Sequence, residues 1–212
     1  MARSPLLDHN RVERLALADL FETLDDEQLS TPSLCSAWTV GDVLGHLASP
    51  ILLPKADIAK QFLRTPSFRS ATVAWTEQVQ RFPVREQIEA LRTSADHPFI
   101  PPGAGPVAPL TDAIIHGEDV RVPLGLRRDV PAEHLRPALD FGTSLMAVPF
   151  FLPFRRLNGL RLVADDLGWS HGSGGLIEGP AQEVALAMFG RVAAAAPSLS
   201  GPGVDVLARR CS

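Results

Sequence analysis

Apolar residues recur every three or four positions along most of the first 150 or so residues, and this spacing constrains the fold more than any other feature. A clear example is the stripe formed by Val40, Val43, Leu44, Leu47 and Ile51. Such spacing places the apolar side chains on one face of an α-helix, which is stable only when that face packs against another element. Several stripes of this kind in succession predict a helical bundle.

Helix boundaries follow from caps, prolines and polar breaks. Asp8 is a candidate N-cap of the first helix, and Thr39 with Asp42 three residues later resembles the capping box of the second. Pro50 and Pro54 remove backbone donors and are expected to bend that second helix. The later helices are predicted over residues 67–94 with a break at Pro83, around residues 110–121, and from Pro131 onward.

The pattern of apolar and glycine residues changes after residue 155. "LRLVADD" and "GGLIEG" have the composition of short strands, "WSHGSGG" between them is typical of a glycine-rich turn, and "PAQEVALAMFGRVAAAA" predicts one alanine-rich helix. We therefore predict a mainly α protein with two parts. A four-helix bundle covers residues 1–154, and a small α/β unit covers residues 155–212.

Composition excludes several classes of function. Hydrophobic residues make up 45% and charged residues 21% of the 212, as in ordinary soluble proteins. A net charge of −4 without a basic run argues against nucleic acid or an anionic membrane as a partner. The two cysteines lack redox or metal-pair spacing, and charges occupy the place of a signal peptide's apolar core. We expect a cytoplasmic protein; its oligomeric state does not follow from the sequence.

The segment "LTDAIIHGEDVR" holds the first candidate site. Asp112 and His116 lie four residues apart on a predicted helix, so both side chains can reach one ion. An isolated pair of this kind is also compatible with a solvated polar face. Asp119 continues the same face, where it either orients a ligand histidine or pairs with Arg121 at the surface.

His46 is the second candidate. It lies beside the apolar stripe of the second helix, where a histidine satisfied by a hydrogen bond within the core is one interpretation. If the second and fourth helices are neighbours, His46 instead faces Asp112 and His116. Two imidazoles and one carboxylate suit a divalent ion such as zinc and leave one coordination position to a further ligand.

Three segments in order carry a family resemblance. "LCSAWTVGDVLGHL" resembles the C-x-x-W-[ST]-V-x-D-x-x-x-H-L signature of the mycothiol-dependent maleylpyruvate isomerase family. "DAIIHGEDVRVPLG" is similar to its second signature, and "IEGPAQEVALAMFGR" with "LSGPGVDVL" is similar to its C-terminal region. The resemblance spans most of the chain.

The resemblance implies a DinB-like bundle that binds a divalent metal ion through His46, Asp112 and His116, with Asp119 in its second shell. The family has glutamate where this chain has Asp112, which is one methylene shorter. Zinc is the expected ion, and mycothiol is the implied thiol cofactor. Cys35 belongs to the first signature and is either a small buried apolar residue or a nucleophile.

Two functional hypotheses remain. The first is a metal-dependent enzyme in which a low-molecular-weight thiol acts on a small electrophilic substrate, by isomerisation or by S-transfer. The alternative is a non-catalytic metal-binding, ligand-binding or sensor protein of the same fold. No general acid or substrate-binding residue can be assigned from the sequence, so the catalytic residues are not predicted.

Overall fold

The computed structural model of the chain describes residues 4–35, 38–64, 67–148 and 156–211, without the side chains of Phe62, Phe68 and Arg69. Its residues form two compact units, Met1–Arg127 and Arg128–Ser212. The sequence predicted a boundary between residues 154 and 155, which lies outside the described residues. Helix Ala132–Gly142, assigned from the sequence to the bundle, packs against helix Ala181–Met188 within the second unit.

The chain is mainly α-helical. The helices of the first unit are α1 (Pro5–Glu22), α2 (Asp26–Leu29), α3 (Val40–Leu52), α4 (Lys55–Arg64), α5 (Phe68–Val79), α6 (Val84–Asp96) and α7 (Val107–Arg121). The second unit contains α8 (Ala132–Gly142), β1 (Leu160–Ala164), β2 (Trp169–Gly172), β3 (Gly175–Gly179), α9 (Ala181–Met188), α10 (Val192–Ala195) and α11 (Gly203–Cys211). No helix in the described part of the chain is long and apolar enough to cross a membrane.

The first unit is a four-helix bundle of DinB-like type, made of α1, α3, α6 and α7. Helix α1 packs on α6 and α7, and α3 packs on the same two helices. The shared core includes Leu17, Phe21, Leu44, Leu47 and Leu91, each at most 1% exposed. Burial of such a side chain contributes about 1.5–3 kcal/mol, so this core holds the four helices in register. The predicted bundle is confirmed.

Two helix boundaries differ from the sequence-based ones. Helix α1 begins at Pro5 after Ser4, so Asp8 lies in its first turn and is not its N-cap. Proline is favoured there because its fixed φ suits the first helical position. The predicted second helix is interrupted, not bent: Leu53 is extended, with φ −92° and ψ 141°, and α4 starts after Pro54. A residue that precedes proline is driven out of the helical region.

The second unit contains a three-stranded sheet in the order β2-β1-β3. Strand β1 pairs with β2 antiparallel and with β3 parallel. "LRLVADD" and "GGLIEG" form strands as predicted, whereas "WSHG", predicted as part of a turn, is strand β2. The alanine-rich segment also divides into α9 and α10. Gly190 between them has φ 95°, a left-handed conformation that ends a helix and favours glycine.

Candidate metal centre

The start of α3 is fixed by the predicted capping box, which is confirmed. The Asp42 amide donates to the Thr39 hydroxyl oxygen at 3.1 Å, and the Thr39 amide donates to the Asp42 carboxylate at 2.9 Å. Gln80, the C-cap residue of α5, donates to the other carboxylate oxygen of Asp42 at 2.8 Å. Because His46 follows Asp42 by four residues, this cap sets where the imidazole enters the bundle.

Helix α7 supplies the other donors from the interior of the bundle. Thirteen of its residues are buried, from Ala108 almost continuously to Arg121. His116 is 8% exposed and Asp119 is fully buried. The interpretation of this stripe as a solvated polar face is therefore wrong. Four-helix packing encloses α7 on nearly every side, so its polar residues face the core.

The structure brings the predicted donors of α3 and α7 together. His46 Nε2 lies 3.4 Å from Asp112 Oδ1, and His116 Nε2 lies 3.5 Å from the same oxygen. The three candidate ligand atoms all lie within 4.8 Å of one another. The contact of His46 with Asp112 Oδ1 is also a long hydrogen bond, so it fits both interpretations of His46, the metal ligand and the core histidine.

These separations suit a shared ion. Two ligands in a tetrahedral arrangement, each about 2.0–2.2 Å from zinc, lie about 3.3–3.6 Å apart. The distances from Asp112 Oδ1 to the two imidazole nitrogens, 3.4 and 3.5 Å, fall within that interval. The carboxylate oxygen is therefore at ligand-to-ligand distance from both histidines, as a shared divalent ion requires.

Asp119 determines which nitrogen of His116 is available. Its Oδ2 lies 2.8 Å from His116 Nδ1. When Asp119 is ionised it can only accept a hydrogen bond, so the contact favours the His116 tautomer with its proton on Nδ1 and its lone pair on Nε2, the atom that faces Asp112. Arg121, the surface partner considered for Asp119, is itself buried, and its guanidinium lies 3.7 Å from the Glu118 carboxylate. The contact of Asp119 with His116 is the one expected of a carboxylate that orients a ligand histidine.

Charge and burial favour the protonation states that bind a cation. Burial lowers the pKa of His46, although the nearby Asp112 carboxylate opposes this shift. For Asp112, burial alone would raise the pKa, but His46, His116 and the Arg14 guanidinium together hold it well below its usual range. At neutral pH the cluster therefore offers a neutral imidazole and a carboxylate.

Trp38 covers the histidine pair. Its ring centroid lies 5.0 Å from that of His46 and 6.1 Å from that of His116, and the two imidazoles are 4.7 Å apart. The Nδ1 atom of His46 is buried with no hydrogen-bond partner among the described residues. We infer that packing against the indole holds this ring. A hydrogen bond to a carboxylate does so for His116.

Cys35, also from the first signature, lies near the same cluster. Its sulfur and one donor atom each of His116 and Asp119 lie within 4.8 Å of one another. It is half-buried and forms no disulfide. Among the described residues, however, it does not join the group made by His46 and Asp112, so that group has three donors.

The sequence matches the family model of the mycothiol maleylpyruvate isomerase N-terminal domain over residues 11–100. Residues 11–100 are therefore similar to the N-terminal domain of that family. The match covers His46 but ends before Asp112 and His116, so these two donors are supported by the geometry and by the motif resemblance. No curated protein matches the sequence significantly.

Two solved structures share the fold. One is a histidine-to-alanine mutant of the mycothiol-dependent maleylpyruvate isomerase, with a TM-score of 0.63. The other is a crystal structure of the mycothiol-dependent maleylpyruvate isomerase, with a TM-score of 0.59. Each is 13% identical to this chain, with 94% of both chains covered. At this identity the likeness establishes the fold alone, over nearly the whole chain.

Sequence reasoning missed Arg14, whose side chain is 4% exposed and lies 3.4 Å from Asp112. A signal was present. Asn10, Arg14, Leu17 and Phe21 follow one another at helical spacing, which places two polar residues on the stripe that packs into the core. A buried arginine on that stripe requires an acceptor, and the carboxylate that it contacts belongs to the candidate ligand Asp112.

Proposed function

We propose that this chain is a divalent-metal-dependent enzyme that uses a low-molecular-weight thiol of the mycothiol type. The thiol acts on a small electrophilic substrate by isomerisation or S-transfer. His46, Asp112 and His116 are the proposed ligands, zinc the proposed ion, and Asp119 the residue that orients His116. We expect the activity in the cytoplasm, where thiols are kept reduced.

One observation carries the proposal: the three donor atoms lie within 4.8 Å of one another, and Asp112 Oδ1 is at ligand-to-ligand distance from both imidazole nitrogens. A group of three protein donors is typical of catalytic zinc sites, which keep a position for an exogenous ligand, whereas structural sites are closed by four. The similarity of residues 11–100 to a domain of mycothiol-dependent enzymes favours a thiol as that ligand.

A bound divalent ion would lower the pKa of a coordinated thiol and so supply a thiolate near neutral pH. The residues around it have separate tasks. The two Nε2 atoms and Asp112 Oδ1 would hold the ion, and Asp119, 2.8 Å from His116 Nδ1, would keep the proton of His116 on that nitrogen. Trp38 packs over both imidazoles, which limits their rotation and excludes water from that side.

Titration calorimetry with mycothiol, on zinc-loaded and metal-stripped protein, tests the proposal. We expect binding to the loaded form only, and loss of zinc from His116→Ala. The matched control is His171→Ala, which removes an exposed histidine of strand β2 and should leave the zinc content unchanged. Equal thiol affinity with and without zinc would contradict a metal-held thiol.

A second measurement separates the enzyme from a non-catalytic binding protein of the same fold. The zinc-loaded protein is mixed with mycothiol and a panel of small electrophiles, among them cis-configured unsaturated acids. Product formation that disappears with His116→Ala supports the enzyme. Zinc and thiol binding without turnover of any electrophile supports the sensor or binding function instead.

A further inference from the structure

Arg14 connects all four helices of the bundle next to the candidate metal centre. From α1 its Nε donates to Asn10 Oδ1 at 3.2 Å, and its Nη1 donates to Ser94 Oγ of α6 at 3.0 Å and to the Leu47 carbonyl of α3 at 3.4 Å. Its Nη2 donates to Asp112 Oδ2 of α7 at 3.4 Å. A guanidinium held at three nitrogens has a fixed orientation.

The two carboxylate oxygens of Asp112 therefore have different neighbours. Oδ1 lies 3.4 Å from His46 and 3.5 Å from His116, whereas Oδ2 faces Arg14. Carboxylates bind cations through one oxygen or through both. With Oδ2 occupied by Arg14, only Oδ1 is presented to the histidines.

We propose that Arg14 is a positioning residue that keeps Asp112 a one-oxygen ligand and so determines the coordination geometry of the metal ion. This inference rests on the proposed function, because it requires that His46, Asp112 and His116 bind an ion. Its consequence is functional. If the second oxygen also coordinated, it would take the position that the thiol needs, so Arg14 preserves the access of an exogenous ligand.

The positive charge of Arg14 by itself lowers the affinity for a divalent cation, because a guanidinium near the site repels the ion. Removal of the charge would mix this effect with the loss of positioning. Arg14→Lys keeps the charge and replaces the planar donor by a flexible ammonium, so it isolates the positioning effect. Ser94→Ala is a milder second variant that keeps Arg14 and removes one of the contacts that orient it.

The experiment measures zinc affinity by competition with a chromogenic chelator, and the visible absorption of the cobalt(II)-substituted protein. Tetrahedral cobalt(II) absorbs strongly and five- or six-coordinate cobalt(II) weakly, so intensity reports the coordination number. Arg14→Lys should weaken zinc binding about tenfold or more, which is the usual effect of replacing a residue that contacts a metal ligand. It should also lower the cobalt absorption. Ser94→Ala should shift both values in the same direction, by less.

Arg11→Lys is the matched control, because Arg11 lies on the same helix but in an exposed ion pair with Asp96 at 3.0 Å. It should leave both measurements unchanged. Wild-type affinity and a wild-type cobalt spectrum in folded Arg14→Lys refute the positioning role; if that variant does not fold, an unchanged Ser94→Ala refutes it. A wild-type protein that binds neither ion refutes the metal site itself, which is a different result.

Discussion

Replacement of Asp112 by asparagine should destabilise the metal-free protein as well as weaken metal binding. Asp112 compensates the charge of Arg14, whose side chain is 4% exposed against 18% for the aspartate. Without the carboxylate, the guanidinium stays in the bundle with neutral partners only. A charge left in a buried position without its counter-charge is costly, because neither water nor an anion solvates it.

The expected loss is about 3 kcal/mol in the free energy of unfolding, the lower end for breaking a buried ion pair, since the asparagine oxygen can still accept from Arg14. Asp96→Asn provides the comparison. It removes the partner of Arg11 in a pair whose side chains are 46% and 49% exposed. Exposed pairs contribute little, so this variant should lose about 1 kcal/mol or less.

Urea unfolding of metal-stripped wild type and both variants, followed by far-UV circular dichroism, measures the two losses. The dependence of the free energy of unfolding on urea concentration (the m-value) should be the same in all three proteins, because neither substitution changes the surface exposed on unfolding. Equal losses for Asp112→Asn and Asp96→Asn would show that Arg14 and Asp112 do not form a buried pair. Arg14 could then not position Asp112 through a buried ion pair.

Three further predictions concern the site. Asp119→Ala should reduce zinc affinity about tenfold or more, measured by chelator competition, because His116 loses the carboxylate that fixes its Nδ1 proton. Burial lowers the pKa of His46 below its usual 6.5, so the unfolded chain takes up this proton first as the pH falls. The free energy of unfolding of the metal-free protein should therefore decrease as the pH falls below about 6.5. Urea titrations near pH 7.5 and pH 5.5 measure this decrease, and the decrease should be smaller in His46→Gln. Cys35→Ser should leave zinc content per chain unchanged by elemental analysis, since Cys35 does not join the His46 and Asp112 group.

Local rules predicted much of the first unit. The capping box at Thr39 and the helical stripe after it depend on neighbouring residues alone, so the start of α3 could be placed within one residue. The break at Leu53 could not be predicted, because a proline indicates a disturbed helix but not whether the helix bends or ends there. The strand "WSHG" was missed for a related reason: its residues favour turns, and pairing with β1 overrides that preference.

The sequence predicted those parts of the candidate site that depend on the spacing of residues within one helix. Asp112, His116 and Asp119 share a face of one helix by periodicity, and the approach of His46 required only that α3 and α7 be neighbours. Burial of that face and the role of Arg14 depend on how four helices pack. No pattern within a single helix contains that information, although the polar residues on the core stripe of α1 point to it.

The contact of Trp38 with both imidazoles gives the protein an intrinsic optical reporter. Indole emission is quenched by a nearby imidazolium and by open-shell metal ions such as cobalt(II), both of which would act at the 5.0 Å separation of Trp38 and His46. Trp75 is buried near Phe99, and the Trp169 indole is hydrogen-bonded to Asp140, so these two supply a constant background. Candidate ions, thiols and electrophiles can therefore be screened by fluorescence on the unlabelled protein, before its reaction is known.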